Sequence, residues 1–125
     1  MFNPERLKVL DRAIDLVGDV VKLTDKFPAR EGYELGRQMR RAVESIGSNI
    51  SEGCSRGIKE YIYFLKVAVG SANELETQLK MVGKLGYVES RDVERLASEV
   101  VEIRRMIFGV IKFLKEKNDV VENRD

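Results

Sequence analysis

The chain has 125 residues, 43% hydrophobic and 34% charged, a composition that fits one globular domain and excludes a disordered one. Its 22 Lys and Arg are balanced by 21 Asp and Glu, so at net charge +1 it is no polycation, and nucleic-acid affinity would need a local patch or the sum over an oligomer. It has no histidine, which removes His-based acid–base catalysis, Ser–His triads and Glu-x-x-His di-iron sites.

The single cysteine, Cys54, excludes an internal disulfide and fits a reducing cytoplasm. No apolar run approaches the ~18 residues of a membrane span. The opening MFNPERLK lacks the apolar core of a signal peptide. The expectation is a soluble cytoplasmic protein without membrane contact.

Asn3-Pro4-Glu5 reads as an N-cap, a first-position proline and a first-turn acid, opening a helix over about 4–26. Leu7, Leu10, Ile14, Val17 and Val21 form its expected inward seam, and Val9, Ala13, Leu16, Val20 and Leu23 a second apolar stripe. Phe27-Pro28 stops it. The second helix, about 31–53, carries Leu35, Met39, Ala42, Ile46, Asn49 and Gly53 on one seam.

The third helix, about 59–84, has the cleanest seam, Tyr61, Leu65, Ala68, Ala72, Leu75, Leu79 and Val82, and Gly86 follows as its terminating glycine. Ser90 is the expected cap of the fourth helix, about 90–116, with Val93, Leu96, Val100, Ile103, Ile107, Val110 and Leu114 inward. Residues 118–125 form a polar tail expected to fray. Four helices with short turns predict an all-α, up-down-up-down antiparallel four-helix bundle. The doubled stripe of the first helix, and the segment YIYFLKVAVG that is apolar nearly all round, predict a homo-oligomer.

The segment SIGSNISEGCSRG places Asn49 on the seam of the second helix, one turn after Ile46. An unpaired buried amide costs on the order of 1–3 kcal/mol, so partners are expected. Ser71, Glu74 and Gln78 share one flank of the third helix, and Gly47, Gly53, Gly70 and Ala72 would allow close approach. The predicted feature is a structural polar network of Asn49, Glu52, Ser71, Glu74 and Gln78. Glu52 and Glu74 as a catalytic acid pair are disfavoured, because no nucleophile or metal cluster accompanies them. Cys54 near a helix C-terminus is no activated thiolate. EGCSRG lacks the Lys-Ser/Thr and preceding strand of a P-loop. No catalytic residue, cofactor or metal is expected.

Arg30, Arg37 and Arg41 share one face of the second helix with Arg40 beside them, and Arg56 and Lys59 lie at its far end. Arg104, Arg105, Lys112 and Lys115 make a looser group on the fourth. Phosphate contact competes here with a salt-bridged surface, since Glu34, Glu44 and Glu102 are close in sequence.

The stretch FPAREGYELGRQMRRAVESIGSNISEG, followed by KEYIYFLKVAVGSANELETQL and the LGY turn, resembles the four-helix-bundle family of proteins encoded in intervening sequences of large-subunit ribosomal RNA genes. The likeness runs over nearly the whole chain. It departs at Gly47, Ser51 and Tyr61, where that family often has Ala, Pro or Phe. The resemblance implies a cytoplasmic bundle that forms pentameric rings. It also implies kinship with the accessory variability protein (Avd) of diversity-generating retroelements, a basic pentamer that binds nucleic acid and supports a reverse transcriptase. The expectation is a non-enzymatic homo-oligomer, pentameric by resemblance, that associates with RNA or DNA through Arg37, Arg40, Arg41, Arg56 and Lys59. The alternative is a protein scaffold, partnered for example by a reverse transcriptase, with no nucleic-acid contact.

Overall fold

The computed structural model describes residues 3–123; residues 124 and 125 of the expected tail lie outside them. Four helices follow in order: α1 Pro4–Thr24, α2 Tyr33–Gly53, α3 Ile58–Leu85 and α4 Ser90–Glu122. Each packs on its neighbours in sequence, and α1 against α4 closes the ring, so the molecule is an all-α antiparallel four-helix bundle. Asn3 caps α1 by accepting the Glu5 amide at 2.9 Å, with Pro4 at the first position. Gly86 ends α3 in the left-handed region, φ 70°, where its amide bonds Gly83 and that of Tyr87 bonds Val82. Tyr87 then packs at a tilt against Phe27, ring centroids 5.4 Å apart, which ties the α3–α4 turn to the α1–α2 turn.

Three expectations are corrected. The inward face of α1 is Val9, Ala13, Leu16, Val20 and Leu23, while Leu7 and Ile14 are exposed and Leu10, Val17 and Val21 half-buried. Ser90 is the first residue of α4 rather than its cap; Glu89 holds the cap position and makes no side-chain cap bond. The tail does not fray at 117, because α4 runs on to Glu122. No Gly or Pro interrupts that stretch, so each further residue adds one backbone bond, and Lys59 of α3 holds Glu122 at 3.0 Å.

Two ion pairs stitch neighbouring helices across the half-buried rim. Arg12 of α1 grips both carboxylate oxygens of Glu99 on α4, and Arg104 of α4 reaches Glu76 at 2.7 Å and Asn73 at 2.8 Å on α3. The Arg104 guanidinium holds the Glu76 carboxyl below the usual range.

The tightest contact is between α2 and α3. A Cβ on Gly53 would sit 2.6 Å from Cδ1 of Tyr61 and 3.0 Å from Cβ of Phe64. Gly53→Ala gains about 1 kcal/mol of helix propensity but drives a methyl into a buried ring and the Cβ of Phe64, which typically costs about 1–3 kcal/mol. The clash wins, and urea denaturation should show a lower midpoint at unchanged slope.

Tyr61 itself is 3% exposed, and its hydroxyl finds no hydrogen-bond partner among the described residues. Burial pushes the phenol up to about 12, against a weaker opposing pull from Arg6. A raised folded value means stability that is complete below the ordinary pH of about 10 and lost as pH rises through 12, about 3 kcal/mol over the window. Tyr61→Phe removes both the unpaired hydroxyl and this ionisation. The variant should be more stable by about 1 kcal/mol at pH 8, and its margin over the parent should widen at pH 11.5.

Candidate nucleic-acid interface

The five expected cations do not form one patch. Arg37, Arg40 and Arg41 lie in the first half of α2, while Arg56 and Lys59 flank the α2–α3 turn, about 22 Å further along the axis. Arg30 precedes α2 in the turn, so it does not share that helix's face as expected.

Their partners differ as well. Arg37 forks onto Glu34 one turn earlier, at 2.7 and 3.2 Å, and this holds the Glu34 carboxyl below its ordinary range. Arg40 turns toward α1 and donates to the Thr24 hydroxyl at 3.1 Å. Arg56 sits between Glu52 and Glu60 with its guanidinium 5.3 Å from the centre of the Phe64 ring. Lys59 pairs with Glu122 and lowers that carboxyl. Arg41 alone of the five makes no side-chain hydrogen bond or ion pair among the described residues. It lines an open cleft of about 210 Å³ between α2 and α3, with Gln38, Ala42, Ser45, Ser71 and Glu74.

The polar network is built differently from the expectation. Half-buried Asn49 donates to the carbonyl and hydroxyl oxygens of Ser45, at 2.8 and 3.0 Å, rather than to any α3 side chain. Ser45 then crosses to the Ser71 hydroxyl at 2.8 Å, so Asn49 reaches α3 through a serine. Glu52 points outward to Arg56 and belongs to no network with Asn49. Glu74 is exposed and accepts from Gln78 Nε2 at 3.3 Å, along α3 rather than across to α2. Gln78 is buried, and its Oε1 has no partner among the described residues. Of the small residues expected at this seam, Gly53 allows the close approach, Gly47 faces α1, and Gly70 meets open space.

Ser45 is the residue that sequence reasoning missed. Its spacing, four before Asn49 and four after Arg41, was the available signal. In the looser α4 group Arg104 bonds α3 and Arg105 pairs with Glu102, leaving Lys112 and Lys115 without ion pairs among the described residues. Cys54 closes α2, and its thiol donates to the Ser51 carbonyl at 3.0 Å. Among the described residues no His, Cys, Asp or Glu group is arranged to hold a metal, and no helix is long and apolar enough to cross a membrane. The arrangement offers hydrogen-bond donors and charge.

Similar proteins agree with this architecture. No curated protein matches the chain. A crystal structure of a protein with unknown function from the S23 ribosomal protein family of Bacteroides thetaiotaomicron superposes with a TM-score of 0.79 at 26% identity, over 86% of this chain and 98% of that one. Its description names no catalytic activity. The family model described as 23S rRNA-intervening sequence protein matches residues 5–109, and the chain belongs to that family.

Proposed function

We propose that the protein is a non-enzymatic, homo-oligomeric accessory factor that associates with nucleic acid through phosphate contacts, and that Arg41 carries the interaction. The supporting observation is the cleft between α2 and α3. An arginine with no ion-pair partner among the described residues stands there beside the amide of Gln38 and the hydroxyls of Ser45 and Ser71, with the Glu74 carboxylate on the same rim. An arginine fork suits a phosphate oxygen, and Glu74, the one carboxylate lining the cleft, accepts from Gln78 rather than from Arg41. Arg37 lies one turn away, and its pair with Glu34 is exposed, local and screened by solvent, so it exchanges readily for a phosphate. A single subunit of charge +1 presents little field; several copies in an assembly sum the Arg37–Arg41 pairs into a repeating positive surface.

Kinship with the retroelement accessory variability protein, a pentameric ring and a reverse-transcriptase partner belong to the same proposal. A structured RNA is the first ligand to try, since its phosphates are what an arginine fork would take up. A second reading, a protein scaffold without nucleic-acid contact, draws on the carboxylate partners that Arg37, Arg56 and Lys59 already have.

Affinity for a structured RNA should fall steeply with salt, with a log–log slope of about 0.7–0.9 per neutralised phosphate, and with little sequence preference. Replacing Arg37 and Arg41 together by Glu should weaken binding at least tenfold while helicity and assembled mass stay unchanged. No mobility shift with structured RNA, single-stranded DNA or duplex DNA at low salt would overturn nucleic-acid binding in favour of the scaffold.

A further inference from the structure

The turn between α1 and α2 borders a cavity of about 290 Å³ whose lining joins an aromatic ring, a cation and an apolar wall. Phe27, Pro28 and Ala29 form the wall, and Tyr87 packs against Phe27. Gly32 closes the turn so tightly that a Cβ there would lie 2.6 Å from Cβ of Phe27 and 2.9 Å from the Pro28 carbonyl oxygen. The wall therefore has a fixed shape. Tyr33 lines the same cavity yet is 63% exposed, and its ring pairs with no other aromatic among the described residues.

Arg40 is the cation of this cavity. Its Nη1 donates to the buried Thr24 hydroxyl, and it makes no ion pair among the described residues. Gly36 leaves room for that course, since a Cβ there would lie 3.3 Å from the same nitrogen. Arg37 and Arg41 follow Tyr33 at four-residue steps, so ring and guanidinium groups share one outward strip about 12 Å long. The single carboxylate on the cavity is Asp25. It would repel a phosphate, but it can accept from an N–H group on the edge of a base.

We infer that the cavity receives one unpaired base of a single-stranded RNA, stacked on Tyr33, while the adjoining phosphates run along Arg37 and Arg41. Every base has a π-face, so a solvent-facing tyrosine takes any of them, and an arginine beside it adds a cation–π contact or a donor to the base edge. The apolar wall of the turn accepts the rest of the ring. A duplex keeps its bases stacked inside and presents Tyr33 with backbone alone, whereas a loop or bulge can splay a base out. Phosphate contacts by themselves do not make that distinction. The inference rests on the proposed reading of Arg37 and Arg41, and it adds the form of the ligand: strand rather than duplex.

Fluorescence anisotropy on the full chain tests it, with a labelled uridine dodecamer and an RNA duplex of the same length as probes at low salt. Tyr33→Ala should weaken binding of the dodecamer by about fivefold to a hundredfold, the range that stacking of one base spans. Its salt slope should stay that of the parent, because no charge is lost. Tyr33→Phe and Tyr33→Trp should bind as the parent does, and affinity for the duplex should be the same in all four proteins. Parental affinity of Tyr33→Ala for the dodecamer, alongside loss of binding from Arg37→Glu with Arg41→Glu, would overturn the inference and leave the phosphate reading standing. An equal loss on the duplex, or a Tyr33→Phe variant as weak as Tyr33→Ala, would overturn it too. A parent that binds neither probe would sink both readings.

Discussion

The absence of a Cβ at Gly53 sets how closely α2 and α3 can lie, and much of the molecule follows from that separation. The ring of Tyr61 occupies the space, and the Cβ of Phe64 comes near, its ring lying 5.3 Å from the Arg56 guanidinium. Two turns back along α2 the same separation lets the hydroxyls of Ser45 and Ser71 meet at 2.8 Å, a distance that two longer side chains would not have allowed. The serine bridge ties the two helices at mid-length, beside the buried seam of Ile46, Leu65 and Ala72. Arg41, one turn before Ser45 on the same face of α2, lines the cleft beside that bridge.

Helix number, order and most of the core were legible, because three of the four seams are single stripes repeating at helical spacing. The first helix was not, and the reason is geometric. Its two stripes, Leu7 to Val21 and Val9 to Leu23, are equally periodic, and the polar arc of Lys8, Asp11, Asp15, Asp19 and Lys22 lies opposite the boundary between them. Periodicity identifies faces without saying which one looks inward. Long-range partners decide it: Arg12 must reach Glu99 of α4, and Gly47 of α2 must lie near Ala13. Neither appears in any local window. The length of α4 was missed for a related reason, since a stretch with no apolar periodicity can remain helical when nothing in it breaks the backbone ladder.

At the candidate site the sequence was informative where contacts are local. Glu34 before Arg37, and Glu52 and Glu60 around Arg56, stand at three- and four-residue spacings that foretell their pairing. Asn49 was rightly picked out as a polar group on an apolar seam, yet its partner is Ser45 on its own helix. An amide that bonds the carbonyl one turn back needs less from the opposite helix than a free one would. Arg40 gave no such hint, because Thr24 lies on another helix and becomes its neighbour only once α1 and α2 are packed.

The cations thereby fall into groups with different freedom to act. Arg12 and Arg104 join helices in half-buried pairs, and breaking them would loosen the bundle. Arg37, Arg56 and Lys59 hold exposed partners of little energetic weight, which a polyanion can displace. Arg41, Lys66, Lys112 and Lys115 hold none among the described residues, and they lie on two sides of the molecule. Of these, Arg41 is the one set into the cleft between α2 and α3, beside Gln38, Ser45, Ser71 and the exposed Glu74.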